Sequence, residues 1–266
     1  MRRSFFKNIF LIAFCFYLPL QSMAWGMLGH RIVGEIADSY LTSKTRKEIQ
    51  KILGNESIAM ASTWADFIKS DTAYKYLYNW HFVDFKDNAS YDSVMATLAN
   101  DTGVDAYTKL NFLVTELKNK DLALDKKQMY LRLLIHIVGD VHQPLHVGRT
   151  STAGGNTVKL VWFGQASNLH RVWDEQLIEY QQLSYTEYAK AINFVSPEQK
   201  KTWQSQPITQ WLFDSYQISE QLHNEIKDPT QKLSYEYNFY HVDTLNQQLL
   251  KGGVHLAGLL NDIFGH

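Results

Sequence analysis

The sequence predicts an all-α fold with one small β-hairpin near the functional site. Three observations carry that prediction. Apolar residues recur at helical spacing through most of the 266-residue chain. One run of any length, residues 157–163 (TVKLVWF), has strand character, and it follows the turn-forming stretch TSTAGGN at 150–156. The sequence holds no internal repeat, low-complexity tract, Gly-rich phosphate loop or Gly-x-Ser-x-Gly elbow.

The chain opens on MRRSFFKNIFLIAFCFYLPLQSMA: three positive charges, an apolar stretch from residue 9 to 20, and a small-x-small ending at Ser22 and Ala24. This reads as a secretory signal, residues 1–24, cleaved before Trp25. Its apolar part is short for a bilayer span, and no later segment reaches about 20 uninterrupted apolar residues. A secreted or periplasmic protein is therefore expected, with no membrane span and a single domain over residues 25–266. Cys15, the only cysteine, leaves with the signal, so stability must come from a core or from metal. The formal charge of −1 for the whole chain drops by three on cleavage, because Arg2, Arg3 and Lys7 go with it. An acidic balance argues against a protein that grips duplex nucleic acid mainly through a basic surface, although it leaves open phosphate held by metal ions.

From Trp25 onward the elements follow in order. WGMLGH places His30 at the start of a helix with Ile32, Val33, Ile36, Ala37 and Tyr40 on its core side. A freed Trp25 amino group and carbonyl would form a five-membered chelate that His30 completes; a plain core helix fits the spacing equally well. Amphipathic helices are expected over 42–53 and 57–69, broken at Asn55-Glu56-Ser57. The second contains Asp66, which by position is a cap, a surface acid or a ligand. Residues 80–84 (WHFVD) alternate and read as a short extended piece aiming His81 inward. Residues 104–118 form a packing helix through Tyr107, Leu110, Leu113, Val114 and Leu117.

The helix at 130–146 (YLRLLIHIVGDVHQPLH) is the centre of the reading. His136 and Asp140 are four apart and share a face, and Pro144 ends or kinks the helix near Gln143, turning His146 to the same side. A single histidine on an apolar face is ordinarily a satisfied core residue. The pattern recurs, however, in NLHRVWD, where His170 and Asp174 are again four apart. Imidazoles and carboxylates without thiolates suit zinc, with other first-row metals possible. Beyond this, helices are expected over 185–194, 207–226 and 233–264, the last with Leu245, Leu249, Leu256, Leu260 and Ile263 as core stripe and an interruption at Gly252-Gly253, where close approach of another backbone or of the site is expected. His223, His241, His255 and His266 lack metal-like spacing and read as structural or surface residues.

Taken in order, WGMLGH, STWADFIK, WHFVD, HIVGDVHQPLH, GGN and NLHRVWD resemble the zinc-dependent single-strand nucleases of the mung bean nuclease type, the S1/P1 nucleases. The resemblance implies a phospholipase C/nuclease-like helical fold and three zinc ions: one on Asp66, His81 and His136; one on the Trp25 amino and carbonyl groups with His30, Asp140 bridging the two; and one on His146, His170 and Asp174. It also implies cleavage of single-stranded DNA and RNA to 5′-nucleotides and dephosphorylation of 3′-nucleotides by a monomer. Asp66, Asp140 and Lys69 would be the catalytic residues, and Phe82, Asp84 and Asn156 would bind substrate, Phe82 by stacking on the base and Asp84 by hydrogen-bonding its edge. Lys69 stands where relatives usually carry arginine, giving a point charge without a bidentate fork. Disulfides of fungal and plant relatives are absent, and the Asn-x-Ser/Thr sites at Asn55, Asn88 and Asn100 matter only in a glycosylating host. A zinc phospholipase C ranks lower, because that branch has a longer gap between the N-terminal Trp and its His and a glutamate where Asp174 stands. A non-catalytic zinc-binding envelope protein is disfavoured because structural sites are closed by four protein ligands, whereas these sets leave positions open.

Overall fold

The computed structural model describes residues 25–265. The expected signal segment with Cys15, and His266, lie outside the described residues. The all-α class holds, with a small sheet on one side.

The first helices are α1 (Met27–Ser39) and α2 (Ser43–Leu53). Thr42 caps α2 by accepting from the Thr45 amide at 3.1 Å, and Gly54 ends it at φ 67°. The single helix expected over 57–69 is instead α3 (Ile58–Ala61), α4 (Trp64–Phe67) and one 3₁₀ turn. Its break has a local cause: the Ser62 and Thr63 hydroxyls donate back to the Ala59 and Met60 carbonyls at 2.7 and 3.1 Å, competing with the helical ladder. The extended reading of 80–84 is also corrected. Trp80 and His81 close a 3₁₀ run (Thr72–His81), and the extended stretch begins only at Phe82, where Val83 and Phe85 donate to the His146 and Gly148 carbonyls at 2.9 and 3.0 Å.

α5 (Tyr91–Ala99) went unpredicted; α6 (Ala106–Lys118) carries a capping box between Asp105 and Thr108. α7 (Leu124–Asp140) starts earlier than expected, and a tightened turn carries on to Gln143 before the 3₁₀ turn at Pro144–His146. From Leu133 to Asp140 every α7 residue is buried, because α1, α2, α3, α4, α6 and α13 surround it.

The hairpin pairs β1 (Lys159–Trp162) with β2 (Gln165–Asn168) through a two-residue turn, Phe163-Gly164, with both φ values positive. It runs directly into α8 (Leu169–Arg171), a π turn (Val172–Gln176) and α9 (Leu177–Glu179). Helices α10 (Tyr185–Ile192), α11 (Pro197–Gln204) and α12 (Ile208–Glu225) follow; α11 was not anticipated. A third strand, β3 (Lys232–Leu233), lies parallel to β1, so the expected last helix begins at Tyr235 and the sheet has three strands. Two residues carry too little periodicity to show as a strand.

α13 (Tyr235–Phe264) is continuous, so Gly252-Gly253 does not interrupt it. What the glycines permit is the expected close approach: a Cβ on Gly253 would lie 2.4 Å from Ile36 Cγ2 and 3.1 Å from the Val33 carbonyl of α1. Gly253→Ala should therefore lower the melting temperature. Overpacking costs about 1–3 kcal/mol against a helix-propensity gain of about 1 kcal/mol. Thermal denaturation checks it, and an equal or higher melting temperature would show that α1 yields freely.

Candidate metal centre and nucleotide pocket

One carboxylate collects most of the predicted histidines. Asp140, fully buried at the end of α7, lies 3.2 Å from His136 Nε2, 3.0 Å from His81 Nδ1, 3.4 Å from His30 Nε2 and 3.8 Å from His146 Nδ1. Each imidazole arrives on a different element, and the His30 and His136 rings stack at 3.9 Å. Asp66, on α4, lies 3.8 Å from His136 Nε2 and is held by Lys69 at 2.5 Å. A second cluster forms where the hairpin ends: His170 Nε2 is 2.9 Å and His146 Nε2 3.5 Å from the Asp174 carboxylate. Three groups of possible ligand atoms result, each within 4.8 Å of one another: His30, Asp66 and His136; His81, His136 and Asp140; His146, His170 and Asp174.

Backbone carbonyls set the tautomers. The Nδ1–H groups of His136, His146 and His170 donate to the carbonyls of Ser62, His81 and Gly154 at 2.6, 2.8 and 2.7 Å, which turns each Nε2 toward the pocket. Ser62 can offer its carbonyl because the chain breaks its helix there. Gln143, at the turn before Pro144, donates from Nε2 to Asp174 while its Oε1 accepts the Leu145 amide at 2.5 Å.

Electrostatics distinguish the imidazoles. Burial pushes His81 down to about 4 and His30 below its ordinary value. Burial opposes charge on His136 and His146 as well, but Asp140 and Asp66 overcome it for the first, and Asp174 carries the second up to about 9. Asp140 is held well below the carboxylate range and Asp174 down to about 2, their desolvation outweighed by surrounding imidazoles. These carboxylates stay ionised inside the protein, a charge that calls for cations.

Both nitrogens of His30, Asp66 Oδ2, Asp140 Oδ1, and the Nε2 atoms of His146 and His170 are buried with no aligned hydrogen bond, while Asp66 Oδ1 meets the Lys69 ammonium. Leaving such atoms unsatisfied costs about 1–3 kcal/mol each, and divalent ions would satisfy this donor set. The residues therefore fit the metal that the ligand types imply.

Beside the cluster opens a pocket of ≈ 100 Å³ whose wall includes Lys69, Tyr78, Phe82, Asp84, Asn156 and His170. It joins a wider hollow of ≈ 600 Å³ bounded by Tyr74, Lys75 and Tyr78. Phe82 is half-buried and meets Tyr78 edge-on at 5.8 Å, so it is not sealed in the core. Asp84 is raised by its own burial, against the pull of His146 and His170. Trp25 is buried, and the next amide, Gly26 N–H, donates to the Asp174 carbonyl at 2.8 Å.

Sequence reading missed Gln143, Tyr78 and Gly139. Gly139 had a signal, a glycine inside a strong helix pattern: a Cβ there would lie 2.7 Å from His30 Nδ1. The carbonyl partners had none, since every residue carries one.

An all-α scaffold thus gathers three groups of buried carboxylates and imidazoles that could hold metal beside an aromatic pocket. Residues 25–265 match the S1/P1 Nuclease family, and the chain belongs to it as a nuclease. It is 29% identical over 267 residues to Endonuclease 3 of Arabidopsis thaliana, covering 91% of this chain and 90% of the relative. Nuclease P1 of Penicillium citrinum is 28% identical over 271 residues (91% and 98%), and Nuclease S1 of Aspergillus oryzae 34% over 170 residues (61% and 57%).

Gly139→Ala should displace His30 and reduce divalent metal per chain, read by elemental analysis; unchanged metal content would show that His30 tolerates the shift. Metal-free protein should be most stable near neutrality. As pH falls from 6.5 through about 4, the unfolded chain takes up protons that folded His81 and His142 refuse, so stability falls. As pH rises from 6.5 through about 9, the proton favoured on folded His146 is lost, and its contribution with it. Melting temperatures in chelator from pH 4 to pH 9 check this; a monotonic profile would contradict it.

Proposed function

We propose that this protein is an exported, zinc-dependent phosphodiesterase that cleaves single-stranded DNA and RNA to 5′-nucleotides and also dephosphorylates 3′-nucleotides, as a monomer. The observation that carries this reading is the set of buried ligand atoms lacking an aligned hydrogen bond around Asp140 and Asp174, beside an aromatic pocket. Family membership and relatives named as nucleases and endonucleases support it. Asp66, His81 and His136 would hold one zinc ion, Trp25 and His30 a second with Asp140 between the two, and His146, His170 and Asp174 a third. When bound, zinc supplies Lewis-acid stabilisation of phosphate oxygens and lowers the pKa of water toward neutrality.

The chain's own residues would do the selecting and positioning. Lys69, fixed by Asp66, places a point charge at the pocket mouth, where it can meet a phosphate oxygen. Phe82 offers a face on which any base stacks, whereas a paired base hides that face, so single strands are favoured. Asp84 and Asn156 line the same pocket, where Asp84 would hydrogen-bond the base edge and Asn156 would contact the substrate. No helix among the described residues is long and apolar enough to cross a membrane.

The test uses the processed protein beginning at Trp25, loaded with zinc, on circular single-stranded DNA, duplex DNA and phosphatidylcholine vesicles. Cleavage of the single strand alone is expected. Asp140→Asn should reduce that rate by more than about 100-fold, exceeding the effect of changing an outer partner. Phospholipid hydrolysis without DNA cleavage would overturn the reading.

A further inference from the structure

The face of α12 that carries Glu220, His223 and Asn224 reaches the loop at 149–156, and all three side chains bond to it. Arg149 gives its guanidinium to Glu220 at 2.6 and 3.0 Å and to Asn224 at 2.8 Å. His223 Nδ1–H donates to the Ser219 carbonyl at 2.7 Å, which leaves Nε2 as an acceptor. Burial keeps this imidazole toward its neutral form. The 2.8 Å contact between His223 Nε2 and Thr152 Oγ1 therefore has the hydroxyl as donor. That same oxygen accepts the Gly155 amide at 3.1 Å. One residue earlier, the Gly154 carbonyl takes the Nδ1 proton of His170 at 2.7 Å.

The loop needs such support. Ala153, a residue with a Cβ, sits in the left-handed region at φ 48°, and Gly154 and Gly155 follow at 58° and 83°. Gly154 is also pressed on the Leu145 carbonyl, which a Cβ would approach to 2.4 Å. Conformations of this kind persist where surrounding bonds over-determine them.

We propose that Thr152 and His223 form a positioning relay, in which the His223 ring orients the Thr152 hydroxyl, the hydroxyl pins the Gly154-Gly155 peptide, and that peptide's carbonyl fixes the tautomer and aim of His170. The relay sets how tightly the His146, His170 and Asp174 group holds its ion, so its consequence rests on the metal reading above. His223 then has a function that spacing along the sequence does not reveal. Neither Thr152 nor His223 lines the pocket or the hollow beside it.

The test compares wild type with Thr152→Val, which keeps the shape and removes the hydroxyl, and Thr152→Ser, which keeps the hydroxyl. Two quantities are read: zinc affinity by competition with a chromophoric chelator, and hydrogen exchange of the Gly155 amide by NMR. Thr152→Val should weaken the affected zinc by about 10- to 100-fold and speed Gly155 exchange, while Thr152→Ser should restore both to within about 3-fold of wild type. Unchanged zinc affinity in Thr152→Val overturns the relay, whether or not Gly155 exchanges faster, because the loop would then move without moving His170. A Ser variant that behaves like Val overturns it too. Zinc binding by wild type without DNA cleavage would count against the proposed function and leave this comparison readable. If wild type bound no zinc, Gly155 exchange would still decide whether the hydroxyl pins the peptide.

Discussion

A carboxylate buried among imidazoles is the constraint on which this structure depends. Asp140 has no exposure to water and stands within 3.8 Å of four histidines brought from separate parts of the chain. Burying such a charge without partners would be prohibitive, and here partners arrive from all sides. That requirement places α7 at the centre, where its end can carry the carboxylate and six other helices can cover it. Close approach follows from the same need. Gly139 lets the α7 backbone touch the His30 ring, and Gly253 lets α13 seat on α1, the helix that bears His30.

Departures from regular helix serve the same centre. The chain gives up helical continuity at Ser62, and the Ser62 carbonyl becomes the partner of His136. At Gln143 the extended backbone required before a proline turns His146 inward, while the Gln143 side chain reaches Asp174. A π turn carries Asp174 itself, a distortion found often at functional sites. At Ser62 and Gln143 the irregularity frees a group that orients a side chain at the site.

Much of the fold was legible because its helices obey simple periodicity. The stripe Leu245, Leu249, Leu256, Leu260 and Ile263 is buried as the spacing requires, and α2, α6, α10 and α12 fall within a few residues of their expected bounds. The failures have physical reasons. The 3₁₀ run before Phe82 has mixed aromatic and polar residues that also fit a short extended piece, and β3 is too short for any pattern. Among the site residues, His136 with Asp140 and His170 with Asp174 were visible as pairs, since a helix turn enforces their proximity. His223 was set aside because its partners, Thr152 and Ser219, give no metal-like spacing.

The sequence by itself determined the helical class, the short hairpin, the residue types that hold charge, and those pairings that lie within a turn of one another. These follow from local geometry, which needs only i and i+4. Tertiary structure alone decided that His30, Asp66 and His81 meet the α7 pair, that His146 stands between Asp140 and Asp174, and that carbonyls of Ser62, His81 and Gly154 choose the imidazole tautomers. The three carbonyl contacts join residues 16 to 74 positions apart, and His30 meets Asp140 from farther still. Their energy is collected only when the helices pack, so no spacing along the chain encodes them.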